Sequence, residues 1–210
     1  IQTNLIKKLE FSKSERTHDA FYVNEDSFKN PKEAFKKTVN LIKNVPFEGL
    51  LTNPESILDI GSAAGDFLRY LEFENSNFTL KSFYGIDVMD SLLIEAEKRM
   101  PTANFKKWDV NKNGTKIKDA FKMKFDLITM HGVHTIFDDL YWLENILYSL
   151  NKKGYAIIYS FFNNYPYDVV TRVKKSGSKH WEPGWNVHSK KSITDFCYEN
   201  KFKAKFIDFN

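Results

Sequence analysis

Three acids and a turn of small residues form the pattern in this chain with the clearest chemical use. Asp59 lies in ILDIGSAAGDF (57–67), where two apolar residues run into a carboxylate and Ile60 leads into Gly61-Ser62-Ala63-Ala64-Gly65. Asp87 falls in FYGIDV (83–88), and Asp109 stands near the end of ANFKKWDV (103–110). Gly and Ala remove bulk where a chain must reverse sharply and where a ligand can lie against bare backbone. A helix starting just beyond such a turn offers unpaired N–H groups and a positive dipole end. A carboxylate closing a strand can accept two hydroxyl hydrogen bonds in bidentate fashion, although Asp there also serves as a helix cap or turn former. The histidines, His18, His131, His134, His180 and His188, are the candidates for proton transfer near neutral pH.

Hydrophobic spacing predicts the elements that must position these groups. Strands are expected at 56–60, 83–88, 103–110, 125–130 (FDLITM) and 155–162 (YAIIYSFF). Pro31 opens a first helix with Asn30 as its cap and Ala34, Phe35, Val39 and Ile42 on one face, and Pro46 ends it. Leu68 and Leu71 mark a helix at about 65–74, and Leu93, Ala96 and Met100 mark one that stops at Pro101. A polar loop with Asn113-Gly114 precedes the fourth strand. The helix at 138–151 faces inward through Leu140, Leu143, Leu147 and Leu150, with Ile146 alongside, and Lys153-Gly154 closes it. Ser189 or Ser192 starts a last helix to about Asn200, and KAKFIDF reads as a sixth strand. Strands alternating with helices imply right-handed crossovers and a parallel sheet covered on both faces. Residues 163–190, rich in Tyr, Trp, Pro and Gly, are too long for an ordinary connection.

The turn can be compared with two nucleotide-binding patterns. A dinucleotide fingerprint needs G-x-G-x-x-G, but Asp66 stands where the last glycine belongs, and a carboxylate beside a pyrophosphate is electrostatically wrong. The stretch instead resembles motif I of the class I S-adenosylmethionine-dependent methyltransferases, with Asp59, Gly61, Ala63 and Gly65 on the matching positions. That resemblance implies a Rossmann-like α/β three-layer sandwich over about 51–210, mostly parallel. The family's C-terminal antiparallel strands are expected to be incomplete, since the chain runs from Ile1 to Asn210. A single domain is expected, with 1–50 as an N-terminal helical or lid segment and 163–190 as an aromatic-rich insertion. The resemblance further implies that Gly61, Ser62, Ala63 and Gly65 line the cofactor and that Asp87 binds its ribose. Asp109 would accept from the adenine amine, Val88, Met89 and Val110 would sandwich the ring, and Asp59 would serve the amino group through water or backbone. FDLITMHGVHTIFDD resembles the family's motif IV and its following loop. His131 then touches the methionine part and His134 is the candidate base, with His131 beside it. The resemblance implies S-adenosylmethionine as the cofactor and S-adenosylhomocysteine as the product.

Composition narrows the partners. The chain has 210 residues, 42% hydrophobic and 28% charged, which suits a globular domain with a real core. No apolar run is long enough to span a membrane and no signal peptide is visible; the single Cys197 fits a reducing cytoplasm. The net charge of +4 does not compel nucleic-acid binding, and the lysines at 106–124 and 174–191 read as solvated surface or as ligands of an anion. MHGV stands where adenine-amine methyltransferases of nucleic acid carry Asp/Asn-Pro-Pro-Tyr/Phe, and Cys197 lies far from the position a cytosine-carbon enzyme needs. No Cys/His cluster has metal-ligand spacing. A small-molecule acceptor follows, with a hydroxyl of a sugar or nucleotide-linked precursor of surface polysaccharide preferred. His18, Tyr22, Tyr165, Arg172, Trp181 and Trp185 are its candidate contacts. The alternatives are a small amine as acceptor, a catalytically silent partner-binding module on the same fold, and a weaker nicotinamide oxidoreductase that Asp66 disfavours.

Overall fold

Ser56–Ile60 (β1) is buried at every position, as the central strand of a sheet covered on both faces must be. The computed structural model describes residues 30–44, 49–74, 79–112, 114 and 116–208. His18, Tyr22 and Pro46 lie outside them. The chain divides into two compact units, one holding the sheet up to Val133 together with Tyr141–Tyr159, the other holding His134–Leu140 and the chain from Ser160 on.

In the sheet unit, Ser82–Asp87 (β2), Asn104–Lys107 (β3), Phe125–His131 (β4) and Leu150–Tyr159 (β5) join β1 in the order β3-β2-β1-β4-β5. Every pairing is parallel. Helices Glu33–Lys43 (α1), Asp66–Phe73 (α2) and Asp90–Arg99 (α3) bury Phe35, Val39, Ile42, Phe67, Leu68, Leu71, Leu93 and Ala96 in one core with Ile57, Phe83, Phe105, Leu127 and Tyr155 of the sheet. Helix Ile117–Phe121 (α4) packs Phe121 edge-on against Tyr84, whose register partner Leu58 lies on the opposite side of β1 from Ile57. Helix Tyr141–Ser149 (α5) adds a fully buried Trp142, with Leu143, Ile146 and Leu147. The predicted layered α/β arrangement is thus present.

Several boundaries differ from the sequence reading. Helix α1 begins after Lys32, and Asn30 does not cap it. The third strand stops at Lys107, so Asp109 lies two residues beyond it. The supposed polar loop before β4 contains α4, a single turn too short to show helical periodicity. In KAKFIDF the described residues, 203–208, form no strand. Its alternation survives, with Phe202, Ala204 and Phe206 half-buried between exposed lysines, but burial on one side is not sufficient without a ladder partner.

In the second unit, the aromatic-rich segment at 163–190 is built around an antiparallel ribbon, Arg172–Val173 (β6) against Glu182–Pro183 (β7), extended by a bridge between Val169 and Val187. Helix Lys190–Glu199 (α6) starts at Ser189, not Ser192: the Ser189 hydroxyl accepts the Ser192 N–H at 2.9 Å. None of the helices described is long and apolar enough to cross a membrane.

Candidate active site

A crossover chain that builds β1, β2 and β3 outward, then returns to lay β4 on the other side of β1, leaves a switch point between β1 and β4. Ligands of open parallel sheets sit beyond the carboxyl ends of the strands at such a point. Gly61 follows β1 there and Gly132-Val133 follow β4. Gly61 has φ +72, and a Cβ on it would lie 2.2 Å from the Val133 Cγ2. Only glycine serves where the turn is left-handed and another side chain fills the space. The turn closes with the Gly65 N–H donating to the Ser62 carbonyl at 2.8 Å, while the Gly61 and Ser62 N–H groups donate to the Ile86 carbonyl.

Asp87, at the last position of β2, locks this turn. Its Oδ2 accepts the Ala63 N–H at 3.0 Å, and its Oδ1 accepts the Met89 N–H at 3.0 Å. These bonds fix the plane of the carboxylate, which has about four acceptor sites in all. Ala63 sits at φ +45, a conformation costly for a residue with a Cβ, and the Asp87 bond helps hold it there. Val88 is half-buried and Met89 is buried beside it.

Asp109 is a turn former: its Oδ1 accepts the Asn111 N–H at 3.0 Å. Val110 is buried, its carbonyl accepting from Asn145 Nδ2 at 2.7 Å. The Trp108 N–H donates to the Asp87 carbonyl, which ties the end of β3 to the end of β2. Asp59 is 3% exposed and faces inward, accepting the Thr129 hydroxyl at 2.7 Å.

His131, the last residue of β4, has Nε2 3.1 Å from the Thr38 hydroxyl, while Nδ1 stands 3.7 Å from Asp59 Oδ1, beyond hydrogen-bond distance. The ring packs against Phe67 at 4.5 Å and Phe35 at 5.2 Å between centroids. His134 belongs to the second unit and has no exposed surface. Burial, with the neighbouring His188, pushes its pKa down to about 4, so its neutral form is strongly preferred. Their rings are 5.5 Å apart, and burial likewise lowers His188.

Of the other residues expected to meet an acceptor, Tyr165, Trp181 and Trp185 are exposed. Arg172 is half-buried and paired with Asp138. The sequence reading passed over Thr129, Thr38, Phe35, Phe67 and Val133, which hold or surround these groups. It also passed over Gly85, where a Cβ would meet Phe105 at 2.5 Å and the Ser62 Oγ at 2.7 Å. A glycine inside a predicted strand is the usual sign of such a close approach, and YGID carried it.

The residues can receive an adenosine-containing ligand: the turn presents backbone, and the acid at the end of β2 is oriented by that same turn. Asp66, buried at the start of α2, is paired with Arg99 at 3.1 Å and approaches Arg69 at 3.9 Å, so its charge is compensated and gives no ground for rejecting a pyrophosphate. The topology is a Rossmann-like α/β fold, the fold also found in class I S-adenosylmethionine-dependent methyltransferases. No family model and no curated protein sequence matches the chain. Among solved structures it is similar to the sugar N-methyltransferase KedS8 from Streptoalloteichus sp ATCC 53650, with a TM-score of 0.54 and 13% identity over 81% of this chain and 65% of that one. It is also similar to DesVI of Streptomyces venezuelae (TM-score 0.47, 16% identity, 78% of this chain and 67% of that one). The plantazolicin methyltransferase BpumL in complex with SAH gives a TM-score of 0.44 and 24% identity over 60% of this chain and 47% of that one. At these identities the likeness is one of fold, and the chain spans about half to two thirds of the length of these structures.

Proposed function

We propose that this chain is an S-adenosylmethionine-dependent methyltransferase acting on a small molecule, with an amine of a sugar-like metabolite as acceptor. The observation that carries the cofactor assignment is the Asp87 bond to Ala63, which fastens a ribose-binding acid to the glycine turn at the switch point. S-adenosylmethionine supplies an electrophilic methyl on a sulfonium sulfur. In this reading Asp87 takes the ribose hydroxyls, the Gly61–Gly65 backbone lies along the nucleoside, and Val88, Met89 and Val110 flank the adenine near Asp109. His131, bonded to Thr38 and beside Asp59, borders the methionine end as a fixed wall. The remaining task of the protein is to hold acceptor and methyl in line and exclude water.

An amine is preferred because a neutral amine is already a nucleophile, whereas a hydroxyl gains from a general base. Of the two imidazoles expected to supply that base, His131 has its Nε2 against the Thr38 hydroxyl at 3.1 Å and His134 is fully buried. The fold similarity to a sugar N-methyltransferase is in keeping with this choice. A second reading, transfer to a sugar or nucleotide-linked hydroxyl in polysaccharide assembly, rests on the His131–Asp59 approach, an acid–imidazole arrangement that can act as a base once Thr38 releases Nε2. Calorimetric titration with S-adenosylmethionine and S-adenosylhomocysteine tests the cofactor, and absence of binding would leave only a silent partner-binding fold. Methyl uptake from labelled cofactor into amino sugars against their hydroxyl counterparts then decides the acceptor. Faster labelling of the hydroxyl set, with loss in His131→Ala, overturns the amine choice.

A further inference from the structure

Helix α1 turns an apolar face to the core, with Phe35, Thr38, Val39 and Ile42 buried, and Thr38 is the one polar residue among them, at 2% exposure. A valine has the same shape, and a hydroxyl buried there without a partner would cost stability. In a helix a threonine hydroxyl commonly bonds a carbonyl one turn back, as Thr194 does with Lys190 at 2.7 Å in α6. Thr38 instead meets a residue 93 positions along the chain, with its hydroxyl 3.1 Å from the Nε2 of His131.

Aromatic rings flank that imidazole, Phe67 at 4.5 Å, Phe35 at 5.2 Å and Tyr159 at 6.3 Å between centroids. Its other nitrogen, Nδ1, faces Asp59 Oδ1 at 3.7 Å, and this oxygen already accepts the Thr129 hydroxyl at 2.7 Å. A neutral imidazole carries one proton, and its neighbours decide which nitrogen holds it. A carboxylate oxygen beside Nδ1 attracts a proton there and repels a lone pair. Nε2 is then the acceptor and the Thr38 hydroxyl the donor. The Nδ1–H is left unspent among the described residues, since 3.7 Å is beyond hydrogen-bond reach. The side chain keeps 15% of its surface exposed at the end of β4, beside the switch point.

We propose that Thr38 is a positioning residue: by donating to Nε2 it fixes His131 as the Nδ1–H tautomer and directs that N–H to an acceptor oxygen of the bound ligand. The proposal deepens the cofactor reading above and rests on it for the ligand, whose amino-acid end carries such an oxygen. Thr38 acts through the imidazole and does not itself meet the ligand. Phe35, one turn earlier, packs on the same ring, so α1 serves the site through both residues. While Thr38 holds Nε2, that nitrogen is not available as a base, in keeping with an amine acceptor.

The test uses the full chain with isotope-labelled histidine. Long-range proton–nitrogen correlation spectra distinguish the two tautomers, and the His131 signals are those lost in His131→Asn. The parent should show the Nδ1–H form with a hydrogen-bonded Nε2. Thr38→Val should move the Nε2 resonance to its unbonded position, and Thr38→Ser, which keeps the hydroxyl, should restore it. In calorimetric titration, S-adenosylhomocysteine should bind Thr38→Val about fivefold more weakly than the parent, the worth of one hydrogen bond, and Thr38→Ser within about twofold of it. An Nε2–H imidazole in the parent, an unmoved resonance or unaltered affinity in Thr38→Val, or a Thr38→Ser variant as weak as Thr38→Val overturns the proposal. The two readings fail separately. Absence of S-adenosylhomocysteine binding in the parent refutes the methyltransferase reading and the ligand contact with it, whereas the tautomer is read from the free protein. Binding in the parent with an Nε2–H imidazole refutes the role of Thr38 alone.

Discussion

Replacing Asp87 separates its hold on the turn from the ligand contact proposed for it. Its carboxylate accepts one backbone N–H on each oxygen, from Ala63 and from Met89, both at 3.0 Å. Hydrogen bonds to a charged group are worth about 1.5–3 kcal/mol, and the half-buried amides recover part of that from water. Asp87→Ala should therefore lower stability by about 2–4 kcal/mol, since Ala63 at φ +45 also loses the contact that holds it. Asp87→Asn keeps the shape and one acceptor but turns an NH₂ toward a backbone donor, at a cost of about 1–2 kcal/mol. Both variants should lose about 1–3 kcal/mol of cofactor affinity, because ribose hydroxyls lose a charged acceptor. Urea denaturation monitored by circular dichroism gives the first quantity, and calorimetric titration with S-adenosylmethionine the second. Parent affinity in Asp87→Asn would remove the carboxylate from the ribose. An unchanged urea midpoint in Asp87→Ala would show that the turn does not depend on it.

Three further outcomes follow from the same geometry. His134 is pushed from 6.5 down to about 4, so its neutral form favours the fold. That stability is complete above pH 6.5 and is lost as pH falls toward 4, by about 3 kcal/mol in all. Comparison of urea midpoints between pH 7 and 4.5 should show a shallower loss in His134→Leu than in the parent, and identical slopes would count against it. Gly61→Ala should cost about 2–4 kcal/mol, the sum of a left-handed φ and the 2.2 Å approach to Val133. Adding Val133→Ala should relieve the steric part, so a double variant no more stable than additivity predicts would refute the clash. Asn186→Ala should cost about 2–4 kcal/mol, since one buried partner, Phe137, and two half-buried ones, Thr171 and Asp138, lose their bonds, and hydrogen exchange should rise at Thr171 first.

The sheet was readable because its strands are short apolar runs punctuated by Gly, Pro and Asp, and this local signal survives without tertiary contacts. Ser56–Ile60 falls on the expected strand to the residue. Helix α6 was found as well, though the choice between Ser189 and Ser192 needed the observed bond between them. The antiparallel ribbon at 172–183 escaped because its strands are two residues long. Periodicity needs several residues to register.

The sequence by itself determined the glycine turn, the alternation of the five sheet strands with the longer helices, and the acids that stand at or near the ends of strands. Tertiary structure alone decided what each polar group does. Asp87 became the clasp of the turn, Asp109 a local turn former, Asp59 an inward partner of Thr129, and His134 a buried neutral imidazole. Backbone conformation is governed mainly by a residue and its neighbours in the chain. Charge state and hydrogen bonding depend on which distant residues displace water from the same spot, here across separations of 24 residues for Ala63 with Asp87 and 70 for Asp59 with Thr129.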